Sequence, residues 1–266
     1  MTDVYEKLAK HLDNLPAGYP STDSGVEMRI LKRLFSPEEA QIATALTMMP
    51  EPVAGIAARV SSNEAQLGDA LEAMAQKGLI FRISKRDNTL YSAAQFVVGI
   101  WEYHLNDLDE DLIRDVNEYM PTLMKKSWLS TKTKQLRVVP VAKSVSAEMA
   151  IMPFEAAEEI INKQSKIVVS PCICRKEQKM IGKGCDKPME VCLDVGAGAY
   201  YYEKNGLGRE IDKKVALELV KKGVDAGLVL QPCKQQKSMN ICMCCGCCCA
   251  ILKKLKTKDK QAQLVN

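Results

Sequence analysis

The cysteines are the residues of this chain whose type and spacing could do chemistry. The stretch ICMCCGCCCAIL, residues 241–252, places six of them in eight positions. Five more precede it, four at Cys172, Cys174, Cys185 and Cys192 and one that stands alone at Cys233. The chain has two histidines, His11 and His104, and both lie far from the cysteines in sequence. A metal bound in this region would therefore have thiolate ligands alone, and such donor sets select zinc, Cu(I) or iron–sulfur clusters.

The terminal run repeats the CxxC spacing by which ferredoxin-like loops hold iron–sulfur clusters. Cys242, Cys245 and Cys248 follow a CxxCxxC pattern, and Cys244 and Cys247 form a second CxxC. One or two 4Fe-4S clusters would use four or eight thiols. The spacing leaves open which cysteines share a cluster, and adjacent cysteines are not all expected to reach the same centre.

We predict metal ligation by the ten cysteines outside position 233. They are Cys172, Cys174, Cys185, Cys192, Cys242, Cys244, Cys245, Cys247, Cys248 and Cys249. Two further residues are predicted to contact the cofactor. Arg175 lies within the motif PCICRKEQ, and Gly246 lacks the Cβ that would hinder a tight turn close to a cluster. Cys233 follows Pro232 and could equally be a buried apolar residue.

Composition and cysteine content bound the class of protein. Of the 266 residues, 47% are hydrophobic and 26% are charged, which is typical of a globular chain with a real core. Neither a signal-peptide pattern nor an apolar run of membrane-spanning length is present, so we expect a cytoplasmic protein with no membrane insertion. In a reducing compartment, clustered cysteines indicate metal or redox chemistry more than a disulfide framework.

The first part of the chain has the pattern of a winged helix. VEMRILKRLF is amphipathic, Ser36-Pro37-Glu38-Glu39 provides a capping box for the next helix, and VAGIAARV ends at Ser61. Ser61 and Glu64 are predicted to cap a third helix that ends at Lys77-Gly78. LIFRIS and TLYSAA are predicted to be strands on either side of a turn at residues 85–88.

We therefore predict an α+β, mostly helical fold in which a winged-helix-like domain, residues 1–120, precedes a cysteine-rich iron–sulfur domain, residues 151–266. Residues 121–150 are predicted to be a connector. In the second domain, PFEAAEEIINKQ is predicted to be a helix and KIVVS a strand that leads into the first cysteines. Asp212 is predicted to cap KKVALELVKKGVDA, and Gly227 to end it.

Charge argues against nucleic acid as the partner. The first 100 residues carry a net charge of −2 and the remainder +6, and the basic residues flank the cysteines, where they would offset a thiolate-bound centre. The third helix presents Glu64, Asp69 and Glu72, whereas groove-reading helices need donors for phosphates and base edges. A redox partner protein is expected instead. The segment AAQFVVGIWEYHL is predicted to be a helix on which Phe96, Ile100, Trp101 and Leu105 form an apolar stripe. This stripe could form a homodimer through the first domain, although such a stripe is more often core.

Three functions are consistent with these residues. One-electron transfer is favoured, because no Walker loop, serine elbow or Cys/His dyad is present and Gly196-Ala197-Gly198 lacks the third glycine of a dinucleotide fingerprint. A cluster-dependent redox or iron-responsive regulator is the second, and a zinc or soft-metal binding module is the third. A stand-alone enzyme is less favoured than an electron carrier or an oxidoreductase subunit.

The strings PCICRKEQ, GCDKPMEVCL, NGLGREID and ICMCCGCCC resemble the cysteine-rich module of 4Fe-4S ferredoxin-type proteins of anaerobic bacteria. LPAGYPSTDSGVEMRILKRLFSPEEA and AAQFVVGIWEYHLN are similar to the winged-helix-like part of the same proteins. The resemblance implies iron–sulfur binding and electron transfer in an anaerobic redox system. Longer members continue into a dicluster ferredoxin domain with CxxCxxCxxxCP repeats, whereas this sequence ends at KTKDKQAQLVN.

Overall fold

The chain folds as two compact units of α+β structure, with more helix than strand. The computed structural model describes residues 3–85, 88–128, 130, 135–136, 157–233 and 238–255. The first unit comprises residues 1–131 and the second 132–266. Most of the predicted connector, residues 121–150, lies outside the described residues, but its first eight residues, 121–128, are helical and belong to the first unit.

Seven α-helices and one π-helical turn are described in the first unit. They are α1 Val4–Asp13, α2 Val26–Leu34, α3 Pro37–Thr44, α4 Val53–Val60, α5 Glu64–Gln76, α6 Trp101–Tyr103, α7 Glu110–Leu123 and the turn Met124–Trp128. The predicted capping box of α3 is present, since Ser36 and Glu39 each accept a hydrogen bond from the other's backbone N–H. The predicted cap of α5 was wrong. Asn63 caps that helix through bonds from two backbone N–H groups, while Ser61 ends α4 with a left-handed backbone.

A three-stranded antiparallel sheet completes the first unit. Its strands are β1 Glu51–Pro52, β2 Ile80–Lys85 and β3 Asn88–Ala93, in the order β1-β3-β2. The predicted hairpin is confirmed, with Ile80 opposite Ala93, although residues 86 and 87 of its turn lie outside the described residues. Glu72 of α5 accepts hydrogen bonds from Arg82 (2.6 Å) and from the Tyr91 hydroxyl (3.0 Å), which ties α5 to both long strands.

The stripe proposed as a dimer face lies in the core of the first unit. Phe96, Ile100, Trp101 and Leu105 are all buried within the single chain. The helix predicted around them is absent over residues 97–99, where the backbone is extended, because two β-branched valines and Gly99 favour helix poorly. These side chains therefore offer no surface to a second copy, and dimerisation stays a prediction.

The second unit is built on a five-stranded antiparallel sheet, whose strands lie in the order β6-β4-β5-β8-β7. Its described elements are α8 Ala157–Asn162, β4 Ile167–Pro171, α9 Ile173–Met180, β5 Glu190–Val195, α10 Ala197–Lys204, β6 Arg209–Ile211, α11 Lys213–Asp225, β7 Val229–Pro232, β8 Asn240–Cys244 and α12 Ala250–Leu255. The predicted cap of α11 is confirmed, since Asp212 accepts the Val215 N–H at 2.8 Å. Gly227 leaves that helix with a left-handed φ of +70°.

The two faces of this sheet have different chemistry, because strand side chains alternate with a period of two. Alternate residues of the strands, together with side chains of α8 and α11, form an apolar core. The core-facing residues of the two central strands are Val191, Leu193, Val195, Ile241 and Met243. The intervening positions of these two strands carry Cys192, Cys242 and Cys244 as well as Asp194 and Asn240, so that the sheet presents thiols and polar groups on the face opposite these core residues. Among the residues that the structure describes, no helix combines the length and the apolarity needed to cross a bilayer.

Candidate metal centres

Strand register brings the first thiols together. Leu193 of β5 pairs with Ile241 of β8, and one step further the antiparallel register places Cys192 opposite Cys242. Cys244 lies two residues on, on the same face of β8. Three cysteines that are up to 52 positions apart in sequence are thus neighbours on one sheet face.

Two helix starts supply three more thiols. Cys172 is the N-cap of α9, Cys174 lies in its first turn, and Cys249 immediately precedes α12. Each of the six thiols lies within hydrogen-bonding reach of two others, and the contacts close into a ring. In order around this thiol ring, the members are Cys172, Cys174, Cys249, Cys244, Cys242 and Cys192.

The remaining four predicted ligands form a second, compact group. Its members are Cys185, Cys245, Cys247 and Cys248, and their sulfurs all lie within 4.8 Å of one another. The Sγ of Cys185 is 3.6 Å from that of Cys248 and 4.0 Å from that of Cys245. Cys245 and Cys248 are buried, Cys185 is half-buried and Cys247 is exposed.

Local geometry positions the loop and the turn that carry the compact group. The turn at residues 246–248 begins at Gly246, directly after Cys245. Cys185 follows Gly184, where an added Cβ would lie 2.9 Å from the Cα of Lys179. The loop can therefore approach the last turn of α9 only with glycine at position 184.

Arg175 is the buried cation between the two thiol sets, with 1% of its surface exposed. Both terminal nitrogens donate to the Met243 carbonyl at 3.1 Å, and the guanidinium also hydrogen-bonds to Cys245. Burial lowers the pKa of Arg175, but the negative potential of Cys172, Cys245 and Cys192 raises it by more. The side chain therefore stays charged and supports thiolates in both sets.

The thiols of the ring alternate in acidity. Hydrogen bonds from their neighbours lower the pKa of Cys172, Cys249 and Cys242, the last to about 5. The same bonds raise the pKa values of the three donors, Cys174, Cys244 and Cys192. Hydrogen bonds between neighbouring thiols therefore favour thiolates within the ring, which makes it a soft, electron-rich donor set.

In the compact group, Cys245 is the cysteine that loses its thiol proton most easily. Burial raises its pKa, but hydrogen bonds from Arg175 and Cys247 lower it by more, to about 7. Burial also raises the pKa of Cys248 far above its ordinary range. Metal binding here would displace protons from the less acidic thiols.

Two buried acids near the thiols were missed by the sequence interpretation. Glu177 on α9 is 6% exposed, and burial raises its pKa to about 7. Asp194 on β5 is 3% exposed and accepts a hydrogen bond from Ser170 at 2.9 Å, and burial raises its pKa well above the ordinary value. Both acids have like-charged thiolates nearby, which also favours their neutral form. Helical or strand periodicity around these residues could have indicated their burial.

The structure separates residues that the spacing grouped together. Cys185 lies apart from the other members of the first set and joins the terminal run in the compact group. The CxxCxxC triad is divided as well, since Cys242 belongs to the ring and Cys245 and Cys248 to the compact group. Cys233 has neighbours of its own, Ser238 and the Met239 N–H, the latter 3.1 Å from its sulfur. All eleven cysteines are free thiols.

No protein-family model, curated protein or solved structure matches this chain. What the two thiol sets can do is therefore decided by their own geometry and chemistry.

Proposed function

We propose that this chain is a cytoplasmic iron–sulfur protein that carries electrons for a partner in an anaerobic redox system. The observation that carries the proposal is the gathering of ten thiols into two neighbouring sets, with the buried guanidinium of Arg175 hydrogen-bonded to Cys245 of the compact group and attracted by Cys172 and Cys192 of the ring. The second unit contains no histidine, so its donor set consists of soft thiolates, which suit iron–sulfur centres. A bound cluster would supply one-electron exchange.

The chain's own residues would hold such a centre and adjust its potential. The ring thiols would bind iron, and Arg175 would offset part of their negative charge. The Asn240 side chain donates to the sulfur of Cys242 at 3.6 Å. Hydrogen bonds to cluster sulfurs and burial are the means by which proteins adjust cluster potential.

The first unit would dock the redox partner. Its order α3-β1-α4-α5-β2-β3, with β1 next to β3, supports the winged-helix-like assignment. The exposed residues of α5 include Glu64 and Asp69, and this negative charge disfavours a DNA backbone. We therefore favour a protein partner over a regulatory role on DNA. A DNA shift assay at low and high salt would detect the regulator if that alternative were correct.

The zinc alternative has one observation in its favour, which is the close approach of the four sulfurs in the compact group. It predicts zinc and no inorganic sulfide in protein purified without oxygen. The electron-transfer proposal predicts iron with matching acid-labile sulfide and an EPR signal after reduction with dithionite. Zinc without sulfide in anaerobically prepared protein would overturn the electron-transfer proposal.

A further inference from the structure

The two thiol sets differ in number, spacing and exposure, although the spacing in sequence makes them look alike. We propose that the compact group binds a single tetrahedral metal ion, and that the thiol ring binds the polynuclear centre. This division of roles rests on the proposed function for the ring, but the single-ion site stands independently of it.

The compact group matches one tetrahedral ion. A zinc–sulfur bond of about 2.3 Å in a tetrahedral site places the sulfurs about 3.8 Å apart. The separations of 3.6 and 4.0 Å from Cys185 agree with that value, and the other pairs stay within 4.8 Å. A four-iron cluster does not fit, because its irons and sulfides would occupy the space between the ligands and force them apart.

The surroundings of the compact group also suit a structural ion. Four thiols complete a tetrahedral shell and leave no position for a substrate, as in closed structural zinc sites. Cys247 is exposed and gives an ion access from solvent, while buried Cys245 and Cys248 shield the site from the other side. The ion would join the loop after α9 to the turn before α12, two segments with no regular secondary structure.

The thiol ring matches a larger centre. It offers six thiols, two more than a single tetrahedral ion takes. Among the described residues, the compact group is where three or more sulfurs approach within 4.8 Å of one another, so the ring is the more open arrangement. Cys172, Cys244 and Cys249 are buried. The positive charge of Arg175 attracts the thiolates of Cys172 and Cys192. Several metal ions bridged by sulfide or thiolate would use this number of soft donors.

Cysteine-to-serine variants of each set provide the test. Zinc, iron and acid-labile sulfide are measured per chain in protein of residues 1–266 prepared without oxygen, with Cys233→Ser as the matched control outside both sets. Cys247→Ser changes the exposed member of the compact group, so it perturbs folding least, and Cys185→Ser repeats the test from the loop. Both variants are expected to lose one metal ion and retain the sulfide. Cys192→Ser is expected to lose the sulfide and retain the single ion.

Titration with Co(II) tests for the single-ion site independently of the sulfide content. One equivalent should produce the charge-transfer bands of tetrahedral cobalt thiolate in the apo forms of the wild-type protein and of Cys192→Ser, and these bands should be absent in Cys247→Ser. Loss of sulfide in folded Cys247→Ser, with the native circular dichroism spectrum, would overturn the division of roles. Wild-type protein without sulfide would refute the electron-transfer proposal, while the cobalt result would still decide the single-ion site.

Discussion

Glu177 is predicted to make the stability of this protein depend on pH, and Glu177→Gln is predicted to remove the contribution of this carboxyl. The carboxyl is almost completely buried, and one of its oxygens has no hydrogen-bond partner. The other oxygen accepts one long hydrogen bond, from the Gln178 side chain at 3.5 Å, so the charged form has less hydrogen bonding than it would have in water. Glutamine has nearly the same shape and is neutral at every pH, so the substitution isolates the ionisation.

The size of the change in stability with pH follows from the pKa of Glu177. Burial raises the pKa of Glu177 from 4.5 to about 7 in the folded chain. Between these two values the folded state holds a proton that the unfolded state has released, so stability falls as pH rises. The stabilisation is complete below pH 4.5 and is lost as the pH rises through about 7. The total loss is about 3 kcal/mol in the free energy of unfolding, with most of it between about pH 5 and pH 8.

The assay is urea denaturation of the anaerobic protein at several pH values across this interval. The free energy of unfolding of Glu177→Gln, relative to wild type, should rise by about 2–3 kcal/mol from the acidic to the alkaline end. Glu218→Gln, an exposed change on α11, serves as the control and should leave the profile unchanged. The infrared absorption of protonated carboxyls should also lose the contribution of Glu177 in Glu177→Gln and keep that of Asp194. Parallel profiles for the variant and wild type would refute the reasoning.

Three further predictions concern the second unit. Arg175→Lys keeps the charge but cannot make the same forked contact with the Met243 carbonyl, so metal affinity should fall by about 10–100-fold in a competition titration; unchanged affinity would mean that charge alone suffices. Gly198→Ala would place a Cβ 2.5 Å from the Met239 carbonyl oxygen and should cost about 1–3 kcal/mol of stability, whereas a neutral change would show that this contact relaxes freely. Asp212→Ala removes the N-cap of α11 and should cost about 1 kcal/mol, with Asp212→Asn retaining most of the stability as the control.

Local sequence signals predicted many elements of the fold because they act over a few residues. The capping box at Ser36 and the cap at Asp212 could be predicted from side-chain type alone, and both are present. The strand β5 was missed. Its core positions alternate with Cys192 and Asp194, so the apolar pattern was interrupted by residues that appeared functional or polar. Gly196-Ala197-Gly198 follows this strand, and its second glycine makes room for the Met239 carbonyl.

The sequence by itself determined the α+β class and the supply of soft donors, because residue type decides that the second unit is rich in thiols and lacks histidine. Only the tertiary structure decided which thiols share a site. Antiparallel register places Cys192 beside Cys242, and the loop held by Gly184 carries Cys185 away from its sequence neighbours to the terminal turn. A side chain's partners depend on strand pairing and loop path, which join residues far apart in sequence, so spacing along the chain could not separate the ring from the compact group.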